Sequence, residues 1–501
     1  MKRRILLAAT AAATLAGTAG CFAEQAAPAT GADRTRLRVG MAFAPDGQLS
    51  PYTDDATLIT QLGAAEPLVR LKADGQAEPA LAASWTRPDA RTVRLTLRDG
   101  VTFHDGTALT AQAAADALTN ATAAKPVPRA IAAVKLTATA VDDTTVEVRA
   151  AQPDPVLLNR LASPQLVILA PKAYQKNAGS PDPVGHGTGP FRFTTVQGSS
   201  AATLERFDTY WGGRPQLTGL DVRFLPDGAA RAGALRAGEV DVVNALPVAQ
   251  LPNITGRRVI EIPLPRTIGL HLVSTEGKTF ADAGLRAAAK TAIDPAAITA
   301  TVYENRADAP AGLFGPASAW ATAGRAAVPA VTPAAAADPA GRKITLATYT
   351  DRPELPEVAT AIAAAWKARG FEVETVVREY TVLEPDLLTG TFDAVLGTRS
   401  YLLDSADPIG YLRSDFSCDG SYNLARFCDP AVDTRLDTAD ALTDITARQT
   451  AALQIEADLT GHAITVPIGH ERARIGTADN VTGITEDPYE RTLVTAGTTL
   501  R

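Results

Sequence analysis

The chain has 501 residues, 46% of them apolar, with 48 Lys and Arg against 55 Asp and Glu and a formal net charge of -7. That length supports two or three domains with their own cores, and the acidic balance argues against nucleic acid or a basic membrane-binding face, both of which leave a cationic footprint. Three cysteines are present, and no segment after the N-terminus holds 18 uninterrupted apolar residues, so no transmembrane helix is expected there.

Residues 1–20 join a basic start, Lys2-Arg3-Arg4, to an apolar run from Ile5 to Gly20 that is short for a bilayer, and small residues precede Cys21. The pattern reads as an export signal cut just before the cysteine. It is similar to a bacterial lipoprotein signal, in which that cysteine carries lipid, although Thr18 stands where such signals usually have Leu. An ordinary secretory signal with an incidental cysteine is the alternative. Residues 21–36, rich in Ala, Pro, Thr and Gly without an apolar period, read as a flexible tether.

Order is expected from the alternating strand signal at 37–41. Residues 92–98 (TVRLTLR) alternate cleanly, and the turn at Asp99-Gly100 predicts a hairpin with a second strand ending at His104. Thr110 is placed to cap a helix over 111–122. Strands are expected at 134–141 and 145–150, then a Gly-rich turn at 185–190 with strands at 191–196 and 203–206. Residues 220–224, 228–237 and 239–243 read as strand, helix and strand, and 282–293 as a helix. The Ala- and Pro-dominated stretch 316–341 has no period and reads as a loop or linker. A strong strand-helix-strand unit follows at 343–348, 355–369 (closed by Gly370) and 371–378. A strand at 392–396, helical structure over 430–460 and a strand at 463–470 complete the pattern, and no internal repeat is apparent.

Several segments carry a specific family resemblance: LAASWTRPDARTVRLTLRDGVTFHDGTALTA at 81–111, VGHGTGPFRF at 184–193 with Tyr210-Trp211-Gly212 after it, 235–241, the helix with Leu285-Arg286, and 391–433. Together they resemble the extracytoplasmic solute-binding proteins, family 5, of ABC importers, the class that includes oligopeptide, dipeptide and nickel binders. The resemblance covers almost all of the chain after Cys21. It implies an α/β, two-lobed, periplasmic-binding-protein-like fold (type II, cluster C-like) with an extra β-rich subdomain in the first lobe. The implied division places 37–75, 184–268 and 471–501 in the first lobe, 76–183 in the inserted subdomain and 269–470 in the second lobe, with hinge crossings near 265–275 and 465–475. Two departures stand out: the strand at 270–275 lacks the family's Asn, and the region between Gly312 and Lys343 is shortened and Ala-rich.

In peptide-binding relatives an aspartate shortly before a DP or EP dipeptide pairs with the ligand α-ammonium, and Asp404 matches that position. A buried ammonium needs a charged partner once it loses water; a loop carboxylate facing water or capping the next helix is the alternative. Arg399 could hold a ligand carboxylate bidentately or be a surface arginine, and Tyr401 could face the ligand or the core. Tyr52 and Thr53 match a ligand-contacting loop of the first lobe. Asp407 is read as the cap of a helix that begins at Pro408. Trp85, Gly100, His104, Asp105 and Gly106 are assigned to turn formation and packing. Cys418 and Cys428 form a pair that an exported protein would oxidise to a disulfide, and a metal site there would need ligands the loop lacks.

None of the five histidines has a zinc-type spacing, and GxGxxG, a P-loop lysine and GxSxG are all missing. No cofactor is expected. The resulting expectation is a lipid-anchored, monomeric binding protein without enzymatic activity. It would pass a short peptide to permease subunits driven by a cytoplasmic ATPase. Nickel or a metal chelate is the alternative ligand, with His186 and His271 to test for it. An exported hydrolase and a surface sensor are alternatives of other classes.

Overall fold

Two long strands set the frame. Arg258–Leu272 and Thr465–Thr477 pair antiparallel at the centre of a ten-stranded mixed sheet. On one side lie Ala394–Ser400, Lys343–Tyr349 and Glu372–Arg378; on the other lie Val242–Val243, Arg36–Met41, Gly219–Phe224, Ala201–Arg206 and Phe191–Gln197. The computed structural model describes residues 35–45, 49–132, 134–401 and 405–501; residues 1–34, including Cys21 and nearly all of the tether, and Asp404 lie outside the described residues.

The central pairing breaks between Pro263↔Arg472 and Thr267↔His470. Proline has no N–H to give to the ladder, so a strand interrupted at Pro263 and Pro265 cannot keep register there. The two ends of each central strand thus serve different halves of a two-lobed molecule. One half has a core that includes Leu37, Val39, Phe191, Leu220 and Ile475; the other is built on Leu270, Leu346, Val358, Trp366 and Leu396.

The inserted region forms its own four-stranded antiparallel sheet, in the order Ala82–Asp89, Thr92–Leu97, Thr145–Ala150, Leu136–Ala140. The Ala-rich helix Ala111–Ala123 packs on it, and Thr110 Oγ1 accepts from Ala113 N at 3.1 Å, satisfying one of the helix's orphan N–H groups. The hairpin expected across Asp99-Gly100 is not formed. Thr92–Leu97 already has a neighbour on each edge, Ala82–Asp89 and Thr145–Ala150, so no edge is left for 101–104. That segment instead buries Val101, Phe103 and His104, with one bridge between Thr102 and Ala108.

The glycine motif at 184–193 is a packing device. The His104 backbone N–H donates to Gly187 O at 2.8 Å, and His104 Nε2 lies 2.8 Å from Gly189 O. A Cβ on Gly187 or Gly189 would sit 2.0 or 2.2 Å from the carbonyl oxygens of Ala64 and Gly63. Nearby, the buried Glu66 carboxylate accepts from Tyr210 Oη and Trp211 Nε1, each at 2.8 Å.

In the second half, Lys343–Tyr349, Leu355–Arg369 and Glu372–Arg378 form the expected strand-helix-strand unit, with parallel strands and Gly370 at φ 113° ending the helix. Trp366 is fully buried and donates to Ala289 O at 2.9 Å. The stretch expected to be a loop contains the short helix Ala319–Gly324, which alanines without an apolar period could not announce. No helix among the described residues is long and apolar enough to cross a membrane.

Candidate functional site

In α/β sheets, ligands gather at the carboxyl ends of parallel strands. Here those ends are the loops after Arg36–Met41 in one half and after Lys343–Tyr349 and Ala394–Ser400 in the other. Several contacts draw these loops toward the crossing strands. Ala42 N donates to Asn244 Oδ1 at 2.8 Å, and Leu246 N and O are bonded to Arg474 O and Nε at 3.0 and 2.8 Å. Arg474 in turn faces Glu354 at 3.6 Å, and Arg352 faces Glu471 at 3.8 Å.

The result is a charged cluster at the crossing. Arg266 reaches Glu471 at 3.3 Å and Glu490 at 2.8 Å, linking the break in the central ladder to the C-terminal segment. Burial opposes ionisation of Glu471, yet Arg352, Arg266 and Arg474 together hold its carboxyl below the usual range. Burial likewise works against the Arg266 charge, and Glu490 and Glu471 outweigh it. Arg352 is the loosest of the arginines: its side chain is 35% exposed, against 15% for Arg266 and 13% for Arg474. Phe43, two residues beyond the first strand, is 71% exposed.

The halves also touch beside the crossing. A Cβ on Gly75, in the hairpin between Val69–Leu71 and Ala77–Pro79, would lie 3.2 Å from Tyr489 Oη and 3.7 Å from Ala406 Cβ. Tyr489 and Ala406 share a buried cluster with Tyr401, Ile409 and Phe416. The next residue, Asp407, accepts from Gly410 N at 3.2 Å with Pro408 opening the helix Pro408–Phe416, as the Asp-Pro pattern predicts. It also pairs with Arg448 at 2.6 Å, both side chains being 2% exposed.

Arg399 and Tyr401 come together in this wall of the second half, each 6.0 Å from the Tyr411 ring. The Arg399 fork is occupied: Nε and Nη2 donate to Asp415 at 2.9 and 3.1 Å, and the guanidinium lies 4.8 Å from the Tyr422 ring centroid. Tyr401 is 2% exposed, accepts from Gly315 N at 2.9 Å and meets Phe314 edge-on. Tyr52 belongs to a separate core, that of the inserted region, and burial raises its phenol pKa. Thr53 Oγ1 donates to Ser50 O at 2.9 Å, shaping the turn into the helix Asp55–Gln61.

His186 and His271 are not brought into one site. His186 Nδ1 lies 2.9 Å from Asp182 O, whereas His271 is buried beside Phe416 and burial pushes its pKa down to about 4. Among the described residues no three His, Cys, Asp or Glu side chains are grouped to hold a metal ion. The Cys418 and Cys428 sulfurs lie 2.10 Å apart, at disulfide distance. Sequence reasoning missed Arg352, Glu471, Arg266 and Glu490. Arg352 had a usable signal, since it follows the carboxyl end of the strand expected at 343–348.

A family model described as bacterial extracellular solute-binding proteins, family 5 Middle, matches residues 76–423. The nickel-binding protein NikA of Staphylococcus aureus is 27% identical over 214 residues, 43% of this chain and 42% of NikA. Its structure in complex with Ni(L-His)2 superposes with a TM-score of 0.76 at 20% identity, covering 93% of this chain and all of that one. The glutathione-binding protein GsiB of Escherichia coli K12 is 27% identical over 281 residues, 54% of this chain and 55% of GsiB. DppA of Helicobacter pylori in complex with the peptide STSA superposes with a TM-score of 0.71 at 21% identity, covering 93% and 98% of the two chains. In sequence, the chain spans about half the length of the relatives it matches, or less.

Proposed function

Because the chain belongs to the bacterial extracellular solute-binding proteins of family 5, we propose that it is the substrate-binding protein of an ABC importer. It takes a short peptide between its lobes and delivers it to permease subunits served by a cytoplasmic ATPase. The observation that carries this reading is the crossing itself: two antiparallel strands pass between the halves, lose register at Pro263–Thr267, and bring unevenly paired charges together there with Arg352 from the loop after the parallel strand Lys343–Tyr349. A ladder broken at one level lets a few residues absorb the dihedral change of a hinge while each core moves as a body. Ligand bound at that level favours the closed form by its differential affinity. The lobe boundaries proposed are 37–75, 184–268 and 471–501 for the first lobe, 76–183 for its insertion and 269–470 for the second.

Asp404 is assigned to the peptide ammonium, as the family pattern implies, and Arg352 to its carboxylate, because the Arg399 fork is taken by Asp415 and the longest arginine contact at the crossing is that of Arg352. Tyr401 and Arg399 support this wall, and Tyr52 and Thr53 shape the first-lobe loop. Export, lipid on Cys21 and an oxidised Cys418–Cys428 pair belong to the same reading: a monomer held near its permease by a flexible tether. A nickel chelate is the second reading, favoured by the likeness to NikA; a chelate brings most of its own ligands and needs no protein triad.

Calorimetric titration with di- and tripeptides, nickel and nickel–histidine tests the assignment. Peptide binding that weakens on Asp404→Ala is the expected result. Chelate binding without peptide binding would replace it, and sustained release of cleaved product would make the protein a hydrolase. A Cys21→Ala form is expected to bind peptide normally and to support uptake poorly.

A further inference from the structure

The Ala- and Pro-rich stretch that reads as a linker in sequence is a strap across the helix Ile445–Gly461. A Cβ on Gly461 would lie 2.7 Å from Val331 Cβ, and Arg325 Nη2 is bonded to Glu456 at 2.9 Å and to Phe314 O at 2.8 Å. Beneath the strap, bordered by that helix and the end of Ala283–Thr291, is a cavity of about 580 Å³, a size typical of small-ligand sites. Its walls are aliphatic, with Ile293, Val328, Val331, Leu453 and Val466, and none of its lining side chains is aromatic. It includes none of the charged groups at the crossing.

One lining group is out of keeping with the others. Lys290 is half-buried in the wall, and its Nζ donates to Thr460 O at 2.7 Å. An ammonium has three donors, so the carbonyl leaves two for another acceptor. Burial lowers its pKa, and among the described residues no neighbouring acid counters that effect. Arg325 and Glu456 neutralise each other in the same lining, so among the described residues the cavity keeps one positive charge without a carboxylate partner. A cation among aliphatic walls gains most from an anion that brings apolar surface with it. A peptide would instead bury amides that find few partners there.

We propose that this cavity is a second binding site, separate from the interlobe cleft, for a monocarboxylate with an aliphatic chain, its head group on Lys290 and its chain along Val331, Leu453 and Val466. The probe is sodium octanoate, titrated by calorimetry into the mature protein, with octylamine as the oppositely charged control. Octanoate is expected to bind at least tenfold more tightly than octylamine. Lys290→Gln is expected to weaken it at least fivefold, and Val331→Trp, which fills the space, to abolish it. Equal binding of octanoate and octylamine, octanoate affinity unchanged in Val331→Trp, or no octanoate binding at millimolar concentration overturns the proposal. Circular dichroism melts establish that both variants are folded. Peptide titrations of the same variants stay at the wild-type level, so failure here is distinct from failure of the cleft assignment.

Discussion

Replacing Arg352 by Ala asks whether the loosest cation at the crossing is the one that meets a ligand carboxylate. In the structure it is held by a 3.8 Å contact with Glu471, and Glu471 retains Arg266 at 3.3 Å when Arg352 is gone. A long, part-exposed pair of this kind contributes under about 1 kcal/mol, so the variant should fold with nearly unchanged stability. A hydrogen bond to a charged partner inside a closing cleft is worth about 1.5 to 3 kcal/mol, roughly a ten- to hundredfold change in Kd. The assay is a cycle: wild type and Arg352→Ala, each titrated with a dipeptide and with its C-terminal amide. The acid is expected to fall to the level of the amide in the variant, while the amide binds both proteins alike. If acid and amide weaken equally, Arg352 acts on the lobes and not on the carboxylate, and the reasoning is refuted; an unchanged acid affinity refutes it equally.

Asp407→Ala strips a 2% exposed Arg448 of its closest carboxylate and uncaps the helix Pro408–Phe416, leaving Asp440 at 3.4 Å as the remaining acidic partner. The expected loss is about 3 to 5 kcal/mol in urea unfolding at pH 7, and a change below about 1 kcal/mol would show that the pair is not carrying the local fold. Reducing the Cys418–Cys428 pair, separated by 10 positions, opens a short loop and should cost about 2 to 3 kcal/mol; a melting temperature indifferent to reductant would mean that the thiols are not joined. His271 is neutral in the fold with a pKa of about 4 against an ordinary 6.5, so the unfolded chain binds the extra proton between those values. Its contribution is complete above pH 6.5 and is lost as the pH falls toward 4, at up to about 1.4 kcal/mol per pH unit. Urea midpoints of His271→Phe between pH 7 and 5 should show the flatter dependence, and an identical slope would count against the burial argument.

What could be read from the sequence was what is local. The alternation of Thr92–Leu97 and the unit from Lys343 to Arg378 depend on neighbouring residues and on one left-handed glycine, Gly370, and both are present in the structure. The strand Arg258–Leu272 was legible only near its end, because Pro263 and Pro265 erase the strand signal where the chain changes lobes, and its two partner strands lie roughly 120 to 220 positions away. The candidate site follows the same division. Family motifs point to the loops that border the proposed cleft, but its chemistry depends on which charges remain available after folding. Arg399 and Arg352 are both plausible carboxylate receptors in a one-dimensional reading. Only the pairing of Arg399 with Asp415, sixteen positions on, separates them. A partner that near in sequence could have been suspected, since the same motif contains both residues. Glu471, Arg266 and Glu490 could not, because their meeting is a consequence of two strands crossing. A charge cluster at that level costs desolvation, and on the proposed function a ligand's charges would replace the protein's own where the ladder breaks.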